Sequence, residues 1–177
     1  MTYSTLRNSK HKVSQYSRVL RPPRGLKINA YVEPHYPIKK SLVTSAAQSA
    51  LKAANVKAKV ELAVSVIGDR KMRNLNREFR GIDEPTDVLA FSYSLQTGPP
   101  AGGFVTPPSP YLNLGDVIIS YPQLINRAAD EETMVDEMAQ LLVVHGVLHL
   151  LGYDHDKPQE ATEMESLEDT ALSSINV

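Results

Sequence analysis

With 177 residues, the chain has room for an apolar core of its own, since a chain near this size buries roughly 68–70% of its unfolded surface. It contains no cysteine, which excludes disulfide scaffolds, thiolate nucleophiles and cysteine-bound zinc and leaves nitrogen and oxygen as the available metal donors. The net charge of -1 conceals an asymmetry: residues 1–60 carry 12 Lys/Arg against Glu33 alone, whereas residues 61–177 carry 7 against 19 acidic residues, so the basic beginning is the end suited to a polyanion.

Residues 1–24, MTYSTLRNSKHKVSQYSRVLRPPR, have no acidic residue and little apolar periodicity. They read as a flexible basic N-terminal extension closed by Pro22-Pro23, ahead of a single domain over 25–177. No apolar run approaches the ~20 residues of a membrane span. The expectation is a cytoplasmic protein with no membrane contact, with organelle targeting by the basic start as the lesser alternative.

The folded part begins at LKINAYV, where Leu26, Ile28, Ala30 and Val32 alternate as on a strand. Ile38 to Ala54 returns Leu42, Ala46, Ala50 and Ala53 at helical intervals. VELAVSVIG alternates again, and Gly68-Asp69 opens the helical stretch DRKMRNLNREFR, with Asp69 as N-cap and Met72, Leu75 and Phe79 on one face. Past the loop GIDEPTD, VLAFS (88–92) and LGDVIIS (114–120) supply two further strands. The stretch between them, a Gly/Pro-rich excursion near 94–111, can continue neither strand nor helix. From Pro122 the chain turns helical: a short helix, then VDEMAQLLVVHGVLHLL, increasingly apolar, then an acidic helix with Met164, Leu167, Ala171 and Ile175 as its docking stripe. The predicted fold class is α/β: a small mixed sheet of about four strands with helices packed against it, and a histidine motif on a late buried helix and its following turn.

Three of the five histidines fall within HGVLHLLGYDH. His145 and His149 are four apart on a helix and project from one face. Gly152 permits a left-handed helix end that brings His155 back toward the last turn. The spacing H-x3-H-x5-H thus builds a three-nitrogen cup, and zinc with three protein ligands keeps a fourth position open. The ordinary alternative is a pair of core histidines with His155 on a surface loop. Two imidazoles side by side among leucines make that costly, roughly 1–3 kcal/mol for each unmet polar group. Asp154 and Asp156 are available to support an imidazole from behind, or as loop caps or solvated charges. The spacing resembles the H-E-x-x-H-x-x-G-x-x-H motif of metzincin proteases, but Gly146 stands where their glutamate would be and can abstract no proton. A phosphodiester, whose developing charge a metal and a cation neutralise together, fits this chemistry better than a peptide.

HGVLHLLGYDH, together with LNREFRGIDEPTDVLAFS and LGDVIIS, resembles the YbeY family of single-strand-specific metal-dependent endoribonucleases, over roughly residues 26–175. The resemblance implies a hydrolase with one Zn2+ per chain that cleaves single-stranded RNA in 16S ribosomal RNA 3′-end maturation and ribosome quality control. The small ribosomal subunit and ribosome-associated proteins would be its partners. It also implies His145, His149 and His155 as the zinc ligands and Arg80 as the catalytic arginine; it assigns no role to Asp154, whose candidacy as a supporting carboxylate rests on its position beside His155. Read without the family, Arg80 caps its helix, pairs with Asp83 or stays exposed. The stretch DEPTDVLAFS is either a shaped connection into a strand or a wall of the substrate cleft. Two other functions use the same histidines: a zinc-stabilised ribosome-binding module with little catalysis, and a metallopeptidase whose base, Glu163 or Glu165, comes from the last helix. The basic extension and the Gly/Pro-rich excursion depart from the compact family pattern and inherit no role from it.

Overall fold

The alternating segments become the strands of one sheet in the computed structural model, which describes residues 25–93 and 109–175. The expected N-terminal extension and nearly all of the Gly/Pro-rich excursion lie outside the described residues. The strands are β1 (Leu26–Val32), β2 (Val60–Ile67), β3 (Val88–Ser92) and β4 (Leu112–Ser120), in the order β1-β2-β4-β3. β1, β2 and β4 run parallel, and β3 pairs with β4 antiparallel at the edge. The helices are α1 (Lys40–Ala53), α2 (Asp69–Arg80), α3 (Tyr121–Asp130), α4 (Val135–Leu150) and α5 (Pro158–Ile175).

Period-two patterning decides which face each side chain takes. Val60, Leu62, Val64 and Val66 of β2, with Leu114, Val117 and Ile119 of β4, turn to one face and bury against α1, α4 and α5 in a single core. Burial of each such side chain is worth about 1.5–3 kcal/mol. The small side chains of Ala46, Ala47 and Ala50 let α1 approach closely; all three are fully buried. The opposite face carries a smaller cluster, Ile67, Met72 and Leu89, with Leu75, Phe91 and Ile118 packed on it beneath α2. Further along that face Lys27 and Asn29 of β1 both reach the Glu61 carboxylate of β2.

Helix α2 departs from the sequence reading at both ends. Gly68, not Asp69, holds the N-cap position. The Asp69 carboxylate instead accepts hydrogen bonds from Ser120 Oγ at 2.5 Å and Gln123 Nε2 at 2.9 Å, which ties the start of α2 to the β4–α3 junction and satisfies a buried serine. At the other end Phe79 does not follow Met72 into the core but is 59% exposed. Asp87 shows why the loop before β3 is rich in small polar residues. Its side chain accepts from the Val88 N–H at 2.8 Å and from Arg127 at 2.7 Å, while its carbonyl accepts from the Ser120 N–H at 2.9 Å. That much of DEPTDVLAFS is a shaped connection.

Candidate metal centre

Helix α4 is buried on most sides, with Leu142, Val143, Val144, Val147 and Leu148 all inaccessible to solvent, and His145 and His149 lie on the stripe that stays partly open. Gly146 explains how the helix sits. A Cβ at that position would lie 2.5 Å from Cγ1 of Val117 on β4, so α4 rests flush on the sheet and no side chain fits there. A glutamate at 146 would point into the sheet rather than toward the histidines. The residue missing from the protease motif is therefore replaced by a packing contact.

The helix ends in a left-handed turn. Gly152 has φ +92°, a backbone conformation that a Cβ makes costly. Its N–H donates to His149 O at 3.0 Å and the Tyr153 N–H to Leu148 O at 3.1 Å, the paired bonds of a Schellman end. The chain thereby reverses, and His155 comes back to its own helix, with ring centres 5.3 Å from His149 and 5.7 Å from His145. His145 and His149 are 4.6 Å apart between ring centres, with their Nε2 atoms 3.0 Å apart.

Each outer histidine has a carboxylate behind it. Glu168 of α5, only 16% exposed, places Oε1 2.8 Å from His145 Nδ1. A proton on Nδ1 shared with that carboxylate leaves the lone pair on Nε2, facing His149, which is the ligand tautomer. Asp154 Oδ1 accepts from the backbone N–H of His155 at 2.8 Å and lies 3.2 Å from its Nδ1. Burial, reinforced by the neighbouring His145, holds the His149 pKa below its ordinary 6.5, which favours the neutral imidazole that a metal requires.

His149, Asp154 and His155 form a cluster able to coordinate a metal ion, with donor atoms within 4.8 Å of one another. The donor set is nitrogen and oxygen, as zinc accepts. His145 lies outside that group but beside it: its Nε2 is 3.0 Å from that of His149, within a few tenths of the about 3.3 Å that two nitrogens keep on a tetrahedral zinc. Asp154 and His145 thus compete for one role. Asp154 Oδ1 is engaged by its neighbour's N–H and ring, whereas His145 Nε2, with Nδ1 on Glu168, shares its lone pair only with His149 Nε2, a contact that an ion between the two nitrogens would replace. Glu163 and Glu165 are exposed on α5, and the acid from that helix that does reach the histidines is Glu168. Sequence reasoning passed over it because it is 23 residues from His145. The signal was present: Glu168 falls four after Met164 and three before Ala171, on the buried side of an otherwise acidic helix.

Arg80 is exposed in the last turn of α2. Two of its ordinary roles are taken by others. Asp83 is gripped by Arg73 through two bonds of 3.0 and 2.7 Å and by Arg77 at 3.3 Å, and the helix is closed by Gly81, whose N–H bonds Arg77 O. Among the described residues Arg80 enters no ion pair. The end of α2 connects to the histidine helix through β3: Phe79 touches Phe91, and the adjacent Ser92 Oγ donates to Leu150 O at 3.3 Å, one residue beyond His149.

Comparison with known proteins agrees with this layout. The family profile described as Endoribonuclease YbeY matches residues 33–176. A protein named Endoribonuclease YbeY from Dehalococcoides mccartyi (strain ATCC BAA-2266 / KCTC 15142 / 195) is 40% identical over 160 residues, covering 86% of this chain and 91% of that one. One of the same name from Moorella thermoacetica is 34% identical, covering 80% and 92%. The solution structure of a Thermotoga maritima protein shares the fold, with a TM-score of 0.53 at 19% identity, covering 84% of this chain and 91% of that one. With the profile spanning most of the sequence and the histidine motif, the glycine turn and the sheet order all in place, the chain belongs to the YbeY family of endoribonucleases.

Proposed function

We propose that this chain is a zinc-dependent endoribonuclease that hydrolyses single-stranded RNA, acting with the small ribosomal subunit and ribosome-associated proteins in 16S ribosomal RNA 3′-end maturation and ribosome quality control. The observation that carries the reading is the convergence of His145, His149 and His155, with Nε2 atoms of the first two 3.0 Å apart and the third returned to them by the turn at Gly152. Those three residues would hold the ion, and Asp154, whose Oδ1 meets the N–H and ring of His155, would support that ligand from behind. Zinc supplies Lewis acidity and lowers the pKa of water. The protein's own residues do the rest. Glu168 and Asp154 fix the ring orientations of His145 and His155. Arg80, without an ion-pair partner among the described residues, neutralises charge that develops on the nonbridging phosphate oxygens. With Gly146 packed on Val117, the motif offers no side-chain base in the position that peptide hydrolysis would use, which favours a phosphodiester substrate over a peptide.

The test is a matched comparison of zinc content and single-stranded RNA cleavage for the wild type, His149→Ala and Arg80→Ala, with chelation and zinc readdition. Expected are zinc-dependent cleavage by the wild type, loss of both zinc and turnover in His149→Ala, and full zinc content with at least about 100-fold lower turnover in Arg80→Ala, the range for removing one charge-stabilising group. A wild type that keeps its zinc yet cleaves no RNA would make the protein a zinc-stabilised binding module instead. A terminal 2′,3′-cyclic phosphate on the product would show that the ribose hydroxyl, not water, attacks.

A further inference from the structure

The chain has three phenylalanines and no tryptophan, and two of the three meet at one place on the sheet face away from α4. Phe79, in the last turn of α2, leaves 59% of its surface in water, although Met72 and Leu75 of the same helix are taken into the cluster beneath it. Its ring meets that of Phe91 edge-on, with centres 4.9 Å apart. Phe91 is half-buried in that cluster. Two residues on, Tyr93 returns to the same side of the chain, where its hydroxyl donates to Asp116, the cross-strand partner of Phe91. Ile82 is also exposed beside the helix end. Single exposed apolar residues are ordinary. Here, however, two rings meet at the helix end that also carries Arg80, the next residue after Phe79: Arg73 and Arg77 are spent on Asp83, Lys71 on Glu33, and Arg80 has no such partner among the described residues.

The edge strand links this surface to the histidines. Side chains alternate along β3, so Phe91 and Tyr93 face α2 while Ser92, between them, bonds Leu150 O at the end of α4. The rings and the imidazoles therefore flank the end of one strand.

We propose that Phe79, braced by Phe91, is a stacking platform for an unpaired base of the RNA, next to the phosphate that Arg80 holds. This rests on the single-stranded RNA reading given above and adds a source for the single-strand preference. A base within a duplex is already stacked and paired and cannot be splayed onto a ring, whereas an unpaired base can, and every base has a face to offer. The platform would therefore discriminate by strandedness and tolerate sequence.

The test measures binding of a labelled single-stranded oligoribonucleotide by fluorescence anisotropy, alongside zinc-dependent cleavage, for the wild type, Phe79→Ala, Phe79→Tyr and Arg80→Ala. Phe79→Ala is expected to weaken single-strand binding about 5–150-fold, the range for loss of one stacked base, and Phe79→Tyr to restore it. A series of oligomers each lacking one base should contain one position at which the wild type and Phe79→Ala bind alike. If Phe79→Ala binds and cleaves as the wild type does while Arg80→Ala is impaired, the platform is wrong and the endoribonuclease reading stands. If Phe79→Ala melts at a lower temperature with unchanged RNA affinity, the ring is covered by the protein itself, which also overturns the platform. Absence of RNA binding and cleavage in the wild type would overturn both.

Discussion

At the residue scale, the presentation of His145 depends on Glu168. The carboxylate fixes which ring nitrogen carries the proton and holds the other toward His149. Glu168→Ala removes the acceptor and should weaken zinc affinity about 10–100-fold, as loss of such outer partners does. Glu168→Gln keeps an acceptor without the charge and should fall between. Competition with a chromophoric chelator measures both, and equal affinity in Glu168→Ala and the wild type would reduce Glu168 to a packing residue. The contrast in legibility has a physical basis. The three histidines are readable from sequence because helix periodicity and one glycine turn fix their relation locally. Helical spacing places Glu168 on the buried side of α5, but its pairing with His145 depends on how α5 docks on α4, which no local spacing encodes. Arg80 is intermediate: its place at a helix end was readable, but not that Arg73 rather than Arg80 would take Asp83.

At the element scale, the helix that carries the ligands is positioned by what Gly146 lacks. Alanine is worth about 1 kcal/mol over glycine within a helix. Against that, a Cβ 2.5 Å from a methyl of Val117 must displace a stiff β-branched side chain in a close-packed core, at a cost of about 1–3 kcal/mol. The clash wins, so Gly146→Ala should lower unfolding stability in urea by up to about 2 kcal/mol. Adding Val117→Ala should recover part of that loss, a coupling that a double-mutant cycle isolates. If Gly146→Ala were stabilising, α4 would not rest on β4 as described. Element identities were legible throughout because period-two and helical patterns are well separated along this chain. What periodicity missed lies at the ends of α2: Asp69 was drawn off the cap by Ser120 and Gln123, and Phe79 was left outside a cluster that closes with Leu75 and Phe91. Both outcomes are tertiary.

At the scale of the whole molecule, the order β1-β2-β4-β3 puts the antiparallel strand at the edge, with the ends of α2 and α4 on either side of it. Helix ends far apart in sequence are thereby tied to adjacent residues of one strand, Phe79 to Phe91 and Leu150 to Ser92. The large core under α1, α4 and α5 is built from apolar side chains and includes none of the three histidines, so the fold does not need a metal to supply its core. The central claim is that three imidazoles, and no other side chain, hold the ion. X-ray absorption of the zinc-loaded protein, compared with Asp154→Asn, tests it most directly. The account predicts three imidazole nitrogens near 2.0–2.1 Å and a spectrum that Asp154→Asn leaves with the same ligand count. A carboxylate in the first coordination sphere that disappears in Asp154→Asn, or fewer than three imidazoles, would contradict it.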